Sequence, residues 1–279
     1  MTECMEKGKI SVIMGVYNCA DTVIEAIQAV EKQTYTNWEF IICDDGSKDC
    51  TYETVMDYIK DDQRFILIRN ETNCGLNRTL NNCLARAGGE FIARMDGDDL
   101  CDPKRFEKQV QALRDNPQYA VCGTPMRLFD QSGFWGIKTV PEKPSAEQVV
   151  SGNPICHAAT LIRHAALKDV GGYTEDERML RVEDVNLWIK LYEKGYCVIN
   201  LTEPLYFMRN DQNALNRRKY RYRINSTYVR LQGCRKLHLG FRSYVQAFRP
   251  MVYGLVPGQL RHLIRHRVSY RKNANSGEK

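Results

Sequence analysis

Two clusters of carboxylates are the residues of this chain best suited to chemistry. Asp44-Asp45-Gly46-Ser47 follows one apolar run, and Asp96-Gly97-Asp98-Asp99 follows another. Paired carboxylates in a glycine-containing turn suit a hard divalent cation, which takes oxygen ligands and often bridges protein carboxylates to phosphate. Each cluster alone is also typical of a solvated turn, because Asp and Gly are common there. The elements that position the clusters must therefore decide between the two interpretations.

The apolar runs belong to an alternating pattern of strands and helices. The predicted buried strands, rich in β-branched and aromatic residues, are Lys9–Met14, Glu39–Cys43, Phe65–Ile68 and Phe91–Met95. The predicted helices between and after them are Thr22–Lys32 capped by Asp21, a helix capped by Asp49, Leu76–Ala87 ended by Gly88-Gly89, and a helix opened by Asp102-Pro103 that runs to about Asn116. This pattern predicts an α/β fold with a mainly parallel, Rossmann-like sheet.

Ligands of such sheets bind beyond the carboxyl ends of the strands. Both acidic clusters lie at strand ends, so we expect them to share one crevice although about 50 residues separate them. After about Gly123 the pattern loosens, and the segment from Asp130 to Pro144 is predicted to be a hairpin or a mobile loop. A further helix is predicted from Val182 to Tyr192.

The charge of the chain is divided unevenly between its body and its tail. Residues 1–211 hold 24 Lys/Arg and 33 Asp/Glu, a net charge of −9, whereas residues 212–279 hold 16 and 1, a net charge of +15. Leu260, Leu263, Ile264 and Val268 are spaced as one helical face among basic residues. We therefore predict a basic amphipathic helical tail at 216–279, with residues 216–272 contacting an anionic membrane surface. Packing of the tail on the body is the alternative, and nucleic-acid binding is not expected.

The eleven cysteines form no C-x-x-C pair and no zinc-binding pattern, which indicates reduced thiols. No apolar stretch is long enough to span a membrane, and Met1–Lys9 has no apolar signal-peptide region. A cytoplasmic enzyme, peripheral at the inner face of the membrane, is therefore expected.

The order of the motifs resembles the family 2 glycosyltransferases of the GT-A fold, of the bacterial polysaccharide and glycolipid type. The matching stretches are Ser11–Asn18, Gln33-Thr34, Glu39–Asp49, Asn73–Leu76, Leu80-Asn81, Gly89–Asp99, Gly171–Tyr173, Glu183-Asp184 and Leu187-Trp188. The resemblance covers roughly residues 9 to 210, and it places the transferase domain at 1–215.

The resemblance implies a role for each candidate site residue. Asp184 would be the general base for the acceptor hydroxyl, with Glu183 beside it. Asp98 would bind Mn²⁺ or Mg²⁺ on the diphosphate, with Asp96 near the ribose or the metal. The remaining donor-binding residues would be Val16, Tyr17, Asn18, Asp45, Asn73, Gly75, Arg78 and Arg94. His157 would lie near the diphosphate or be structural, and Trp188 would belong to the core.

These roles imply an inverting enzyme that moves a sugar from a nucleoside-diphosphate donor, with UDP favoured, to a glycan or lipid-linked acceptor. One base and no enzyme nucleophile imply direct displacement, whereas glycosidases use two carboxylates across the bond. One alternative is a sugar-phosphate nucleotidyltransferase, although the segment Val16–Ala20 lacks the glycine-rich loop expected there. The other is a degenerate, non-catalytic module that binds UDP or membrane. The sequence leaves the sugar, the acceptor and the oligomeric state open.

Overall fold

The computed structural model describes residues 5–210 and 220–255, and it is built around two sheets. The strands are β1 Glu6–Val16, β2 Trp38–Asp44, β3 Phe65–Arg69, β4 Gly89–Arg94, β5 Leu100–Cys101, β6 Tyr119–Gly123, β7 Met126–Asp130, β8 Gly133–Lys138, β9 Leu161–Arg163, β10 Cys197–Asn200 and β11 Tyr206–Arg209. The helices are α1 Val23–Glu31, α2 Thr51–Ile59, α3 Leu76–Leu84, α4 Arg105–Asp115, α5 Ala146–Ser151, α6 His164–Asp169, α7 Glu183–Glu193, α8 Arg221–Lys236, α9 Phe241–Ala247 and α10 Arg249–Leu255.

The larger sheet has the order β10-β6-β9-β4-β1-β2-β3. Its strands are parallel except β9, which runs antiparallel to both β4 and β6. The prediction of a mainly parallel α/β sheet is therefore confirmed. Because β1, β2 and β4 are parallel neighbours, the loops that follow them leave the same edge of the sheet, where ligands bind in such folds.

The smaller sheet has the order β5-β11-β7-β8 and extends from the second acidic cluster. Its β7–β8 hairpin confirms the hairpin alternative for the segment after Asp130. Strand β5 directly follows Asp99 and pairs antiparallel with β11. The second acidic cluster is thus held between the two sheets.

Three predicted helix caps differ from those in the structure. Helix α2 begins at Thr51 after the N-cap Cys50, although the carboxylate of the predicted cap, Asp49, accepts from the amide of Thr51 at 3.1 Å. Helix α1 begins at Val23, and its N-cap is Thr22 rather than Asp21. The Thr22 hydroxyl donates across the fold to the carbonyl of Gly97, 2.9 Å away, so it serves tertiary structure. Helix α4 begins at Arg105, two residues after Pro103, and the carboxylate of Asp102 caps only the turn before it, by accepting from the amide of Lys104 at 2.9 Å.

The helical extension was predicted correctly where the structure describes it. Helices α8, α9 and α10 follow one another between residues 221 and 255, and Val229 of α8 is buried in a core cluster with Trp188 and Ile189 of α7. The predicted boundary at residue 215 and the predicted amphipathic face from Leu260 to Val268 lie outside the described residues. None of the described helices has the length and apolarity needed to cross a bilayer.

Candidate active site

The loops after β1 and β2 are joined by hydrogen bonds at the edge of the large sheet. The amide of Asp45 donates to the carbonyl of Val16 at 2.8 Å, and the amide of Asn18 donates to the hydroxyl of Ser47 at 3.0 Å. The side chain of Val16 is buried, so only its backbone faces this edge. Tyr17, between Val16 and Asn18 in the chain, is 42% exposed. An exposed aromatic ring on a fixed loop is suited to stacking on a nucleotide base.

Asp45 fixes the loop that precedes α3. Its carboxylate accepts from the amides of Cys74 at 2.8 Å and Gly75 at 2.9 Å, and from the side-chain amide of Asn70 at 2.9 Å. A carboxylate has about four acceptor positions, so one remains for a further donor. Asn73, which is exposed, immediately precedes the anchored pair. Asp45 thus orders the predicted donor loop and retains capacity for the N–H of a base.

Asp44 is a site residue to which the sequence analysis gave no role. Its carboxyl is fully buried, and one oxygen accepts from the amide of Ser47 at 3.1 Å and lies 3.5 Å from Nε of Arg69. The other oxygen, Oδ1, is buried without a hydrogen-bond partner in the described structure. A cavity of about 260 Å³ is lined by Gly46, Ser47, Arg69, Asn70 and Glu71. The cavity therefore offers the donors of Arg69 to a polar ligand, whereas the fully buried carboxyl of Asp44 is not part of its lining.

Gly46 is required by the close approach of two loops. Its φ is +69°, and a Cβ at this position would lie 2.8 Å from the backbone carbon of Thr72. No L-residue fits there without moving one loop. The glycine therefore fixes the shape of the cavity.

Arg94 is a buried residue two positions before Asp96, the first residue of the second acidic cluster. Its guanidinium is only 3% exposed and lies 2.5 Å from Oδ1 of Asp96, and it also donates to the carbonyl of Met95. The side chain of Arg94 has almost no exposed surface, and its direct contact with the donor stays a prediction. Asp96 is more open, and its amide lies 3.1 Å from the hydroxyl of Tyr206. The arginine thus orients Asp96 and balances its charge.

Asp98 and Asp99 occupy opposite environments. Asp98 is exposed, but surrounding protein and the neighbouring Asp96 raise its pKa to about 6. Asp99 is buried and accepts from the amide of Arg209 at 2.7 Å, while Nε of Arg209 donates to the carbonyl of Asp98 at 2.9 Å. Burial raises the pKa of Asp99 well above its ordinary value. Asp99 therefore holds the turn, and Asp98 presents a carboxylate at its surface.

This carboxylate set fits a divalent metal shared with a diphosphate. The raised pKa of Asp98 means that its negative charge is unfavourable without a neighbouring cation. Oxygen ligands suit Mg²⁺ and Mn²⁺, and Mg²⁺ is usually held by one or two carboxylates together with substrate phosphates. Within residues 5–210 and 220–255, no group of three or more His, Cys, Asp or Glu side chains is placed to hold a metal by itself. A metal held by Asp96 and Asp98 would therefore need further oxygen ligands from outside these side chains.

A second pair of acidic residues begins α7. The carboxylate of Asp184 accepts from the side-chain amide of Asn153 at 3.0 Å and from the amide of Val185 at 2.8 Å. Burial, together with the charge of Asp184, raises the pKa of Glu183 to about 7, although Arg181 and Arg94 act in the opposite direction. The two adjacent carboxyls therefore differ in environment, with Asp184 held by an amide and Glu183 largely enclosed.

His157 has a partner inside the protein. Its Nε2 is 2.8 Å from the hydroxyl of Tyr173, and its ring meets that of Trp188 edge to face at 5.7 Å. Burial and the charge of Arg94 lower the pKa of His157 well below its ordinary value, so the imidazole is neutral. These contacts favour the structural alternative for His157. The prediction that Trp188 belongs to the core is confirmed, since it is 1% exposed.

Arg78 is on the exposed side of α3, where its guanidinium lies 3.9 Å from the carboxylate of Glu175. Arg78 is therefore near the loop that Asp45 anchors, but its ion-pair partner lies outside that loop. Asn70 could have been found from the sequence, because it follows the apolar run of β3 as the acidic clusters follow theirs. Arg209 could not, because it meets Asp99 across 110 residues.

Comparison with known proteins matches this geometry to a family. A profile of "Glycosyl transferase family 2" matches residues 11–171, which is more than half of the chain. The chain belongs to glycosyl transferase family 2. It is 40% identical over 250 residues to EpsE of Bacillus subtilis, named as a glycosyltransferase, and the match covers 89% of this chain and 90% of EpsE.

A second relative has a name that states donor and acceptor. The Escherichia coli UDP-Glc:α-D-GlcNAc-diphosphoundecaprenol β-1,3-glucosyltransferase WfgD is 38% identical over 218 residues, covering 78% of this transferase and 83% of WfgD. Among solved structures, S. aureus TarS 1–349 in complex with UDP-GlcNAc aligns with a TM-score of 0.67 at 19% identity, covering 88% of this chain and 72% of that one. The mannosyltransferase PcManGT of Pyrobaculum calidifontis, in complex with GDP-Man and Mn²⁺, aligns at 0.60 and 18% identity, covering 92% and 78%. At these identities the structures support the GT-A-like fold.

Proposed function

We propose that this transferase moves a sugar from a nucleoside-diphosphate donor, with UDP as the nucleotide, to a hydroxyl of a glycan or lipid-linked acceptor, with inversion and with a divalent metal. The observation that carries the proposal is that both acidic loops are bonded to the segment that follows β1. The amide of Asp45 donates to the carbonyl of Val16 at 2.8 Å, and the hydroxyl of Thr22 donates to the carbonyl of Gly97 at 2.9 Å. The loops of Asp45 and Asp98 therefore lie at one edge of the sheet, which supports a single donor site.

The donor is held by residues of three strand ends. Tyr17 stacks on the base, and Asp45 accepts from the N–H of a uracil ring. Arg69 is placed to donate to its carbonyls. Asp98 would hold Mn²⁺ or Mg²⁺, with Asp96 beside it, and the metal would neutralise charge on the departing diphosphate. This assignment adds Arg69 to the predicted donor residues.

Asp184 takes the proton of the acceptor hydroxyl as that oxygen attacks the anomeric carbon. The hydrogen bond from Asn153 holds its carboxylate in place. Glu183, with its pKa raised to about 7, is partly protonated at neutral pH, so the pair carries less than two negative charges. One base without an enzyme nucleophile supports direct displacement and inversion.

The relatives support a role in bacterial surface polysaccharide synthesis. WfgD is named for a diphosphoundecaprenol-linked acceptor, and the amylovoran biosynthesis glycosyltransferase AmsE of Erwinia amylovora is 27% identical over 213 residues. A nucleotidyltransferase is less well supported, since Val16, Tyr17 and Asn18 occupy the place of a glycine-rich phosphate loop. Pyrophosphate released from UTP and a sugar phosphate would favour that alternative. Absence of UDP binding in calorimetry would favour a non-catalytic module.

A donor panel tests the proposal. UDP-glucose, UDP-galactose, UDP-N-acetylglucosamine and GDP-mannose are incubated with Mn²⁺, Mg²⁺ or EDTA, and release of the nucleoside diphosphate is measured. We expect turnover with a UDP-sugar, loss in EDTA, and loss in Asp98→Ala but not in Asp57→Ala, an exposed residue on α2. Activity of Asp98→Ala in EDTA equal to that of the wild type would contradict the metal role.

We further propose that α9 and α10 bind an anionic membrane surface at the inner face of the cytoplasmic membrane. Phe241, Val245, Phe248 and Val252 are exposed at helical spacing, and Phe241 is 82% exposed. Residues 220–255 contain seven Lys or Arg and no Asp or Glu. An apolar stripe within a basic surface supports docking on anionic lipid, where each basic residue contributes about 1 kcal/mol.

Vesicle flotation tests the membrane proposal. Vesicles that contain anionic lipid should bind the full chain more tightly than neutral vesicles. Phe241→Asp should weaken binding, whereas Met56→Asp, at an exposed apolar position on α2, should not. Equal binding of wild type and Phe241→Asp would contradict the proposal. Self-association through the stripe, visible by light scattering and abolished by Phe241→Asp, would assign the surface to a second copy instead.

A further inference from the structure

Helix α8 packs tightly against the two elements that support Asp184. A Cβ on Gly233 of α8 would lie 2.6 Å from Cδ1 of Ile189 on α7 and 3.1 Å from Cγ2 of Val150 on α5. Val229, one turn earlier, is buried. The glycine thus allows α8 to contact α5 and α7 together. The extension is therefore joined to the base-bearing helix by close packing.

Arg230 on the same helix is a buried cation bonded to helix carbonyls. It is 8% exposed, its Nη1 donates to the carbonyls of Val149, at 3.4 Å, and Val150, and its Nε donates to the hydroxyl of Ser226 at 3.1 Å. Within the described ranges no carboxylate lies within 4.0 Å of it. Burial lowers the pKa of Arg230, and Asp184 is the acidic side chain whose charge opposes that effect.

Helix α5 connects Arg230 to the base. A capping box between Ser145 and Gln148 fixes its first turn, and Arg230 binds carbonyls of its last turn, where a positive charge is favourable. The chain leaves α5 after Ser151, and Asn153 then donates to the carboxylate of Asp184. Both ends of α5 are thus fixed, and the amide that holds the base follows directly.

We infer that Arg230 is a positioning residue for Asp184. By holding the last turn of α5 it fixes Asn153, and through Asn153 it fixes the carboxylate that takes the acceptor proton. The inference rests on the proposed role of Asp184 as the base. It makes α8, in the C-terminal extension, a part of the catalytic unit, whereas the donor loops after β1, β2 and β4 do not depend on it.

The expected signature is a loss of turnover without a loss of donor binding. A displacement of about 1 Å between reacting groups can lower the rate about 100-fold. Arg230→Gln should therefore lower kcat about 10- to 100-fold and leave the Kd for UDP and the KM for the donor within about twofold. Arg230→Lys keeps the buried charge and should recover part of kcat. Arg235→Gln, at an exposed position on the same helix, should match the wild type.

A double-mutant cycle then connects Arg230 to Asn153. Asn153→Ala should lower kcat by a similar factor, and Asn153→Ala with Arg230→Gln should be little worse than either alone, because both act on one carboxylate. Multiplicative losses, normal kcat in Arg230→Gln, or a parallel loss of UDP binding would overturn the inference. If Arg230→Gln does not fold, Arg230→Lys and Asn153→Ala must still lower kcat selectively.

One further variant separates the proposed role of Asp184 as the base from the positioning role of Arg230. If Asp184→Asn retains full turnover, the proposed base is wrong, whatever Arg230 does. If Asp184→Asn is inactive while the Arg230 and Asn153 variants are fully active, only the positioning role fails.

Discussion

Glu183 makes the stability of this protein depend on pH in a direction that can be worked out. Its pKa is raised from 4.5 to about 7 in the folded protein, chiefly by burial and then by the charge of Asp184. The folded state therefore binds the proton more tightly than the unfolded state. This contribution to stability is fully present below about pH 4.5 and is lost as the pH rises through about 7. Above that pH, folding must bury an ionised carboxyl.

Glu183→Gln removes this ionisation while keeping the size of the side chain. One pH unit corresponds to about 1.4 kcal/mol, so the rise in pKa corresponds to at most about 3 kcal/mol. We expect the variant to match the wild type at pH 4.5 and to be more stable at pH 8 by up to about 3 kcal/mol. For a protein of this size that is an increase in Tm of about 6–12 °C.

Thermal denaturation followed by circular dichroism at both pH values measures the difference. Glu142→Gln, at an exposed position, is the control and should give no pH-dependent change. An equal change in Tm at pH 4.5 and pH 8, or a lower Tm for Glu183→Gln at pH 8, would refute the reasoning.

Three other predictions concern the donor loops. Asp45→Ala removes the acceptor of three hydrogen bonds and should lower the free energy of unfolding, measured with denaturant, by about 3 kcal/mol. It should also weaken UDP binding in calorimetry. Unchanged stability, as expected for Asp57→Ala, would be inconsistent with the anchoring role. Gly46→Ala meets the backbone of the facing loop and should lower Tm more than Gly171→Ala, which has a similar φ but open space around it; equal losses would indicate backbone strain alone. Tyr17→Ala should raise the Kd for UDP about tenfold, because stacking of a base on an aromatic ring is worth about 1–3 kcal/mol; an unchanged Kd would remove Tyr17 from the base site.

The sequence predicts the sheet well because burial and period dominate there. The run Phe40–Cys43 is apolar at every position, which is typical of a strand covered on both faces of the sheet. The strand ends then place both acidic clusters at one edge, as predicted. These parts of the fold depend on local residue types alone.

The helix starts were harder to predict because tertiary contacts compete with local capping. Thr22, rather than Asp21, is the N-cap of α1, and its hydroxyl donates to the carbonyl of Gly97 in the second acidic loop instead of to its own helix. Pro103 precedes α4, and its carbonyl accepts from the amide of Thr34 at 2.8 Å. Neither contact can be inferred from neighbouring residues.

The candidate site was likewise predictable from the sequence only in part. The acidic residues were identified from their positions after strands, but their partners come from distant parts of the chain. Arg94 was placed among the donor residues through the family resemblance, and only the structure shows its burial, which follows from the packing of β4 in the centre of the sheet. Asp44 and Asp45 are adjacent in the sequence, and only the structure shows that the carboxyl of Asp44 is fully buried whereas that of Asp45 anchors the loop before α3. The roles assigned to Asp96, Asp98 and Asp184 remain predictions.

The most direct measurement is a comparison of donor binding and sugar transfer in Asp184→Asn. We predict that calorimetry with UDP and Mn²⁺ will give a Kd within about twofold of the wild type, while transfer to the acceptor falls about 100-fold or more, the usual range for loss of a general base. The Asn side chain preserves size and can still pair with Asn153. Transfer within a few fold of the wild type, or an equal loss of UDP binding, would contradict the assignment of Asp184 as the base of this transferase.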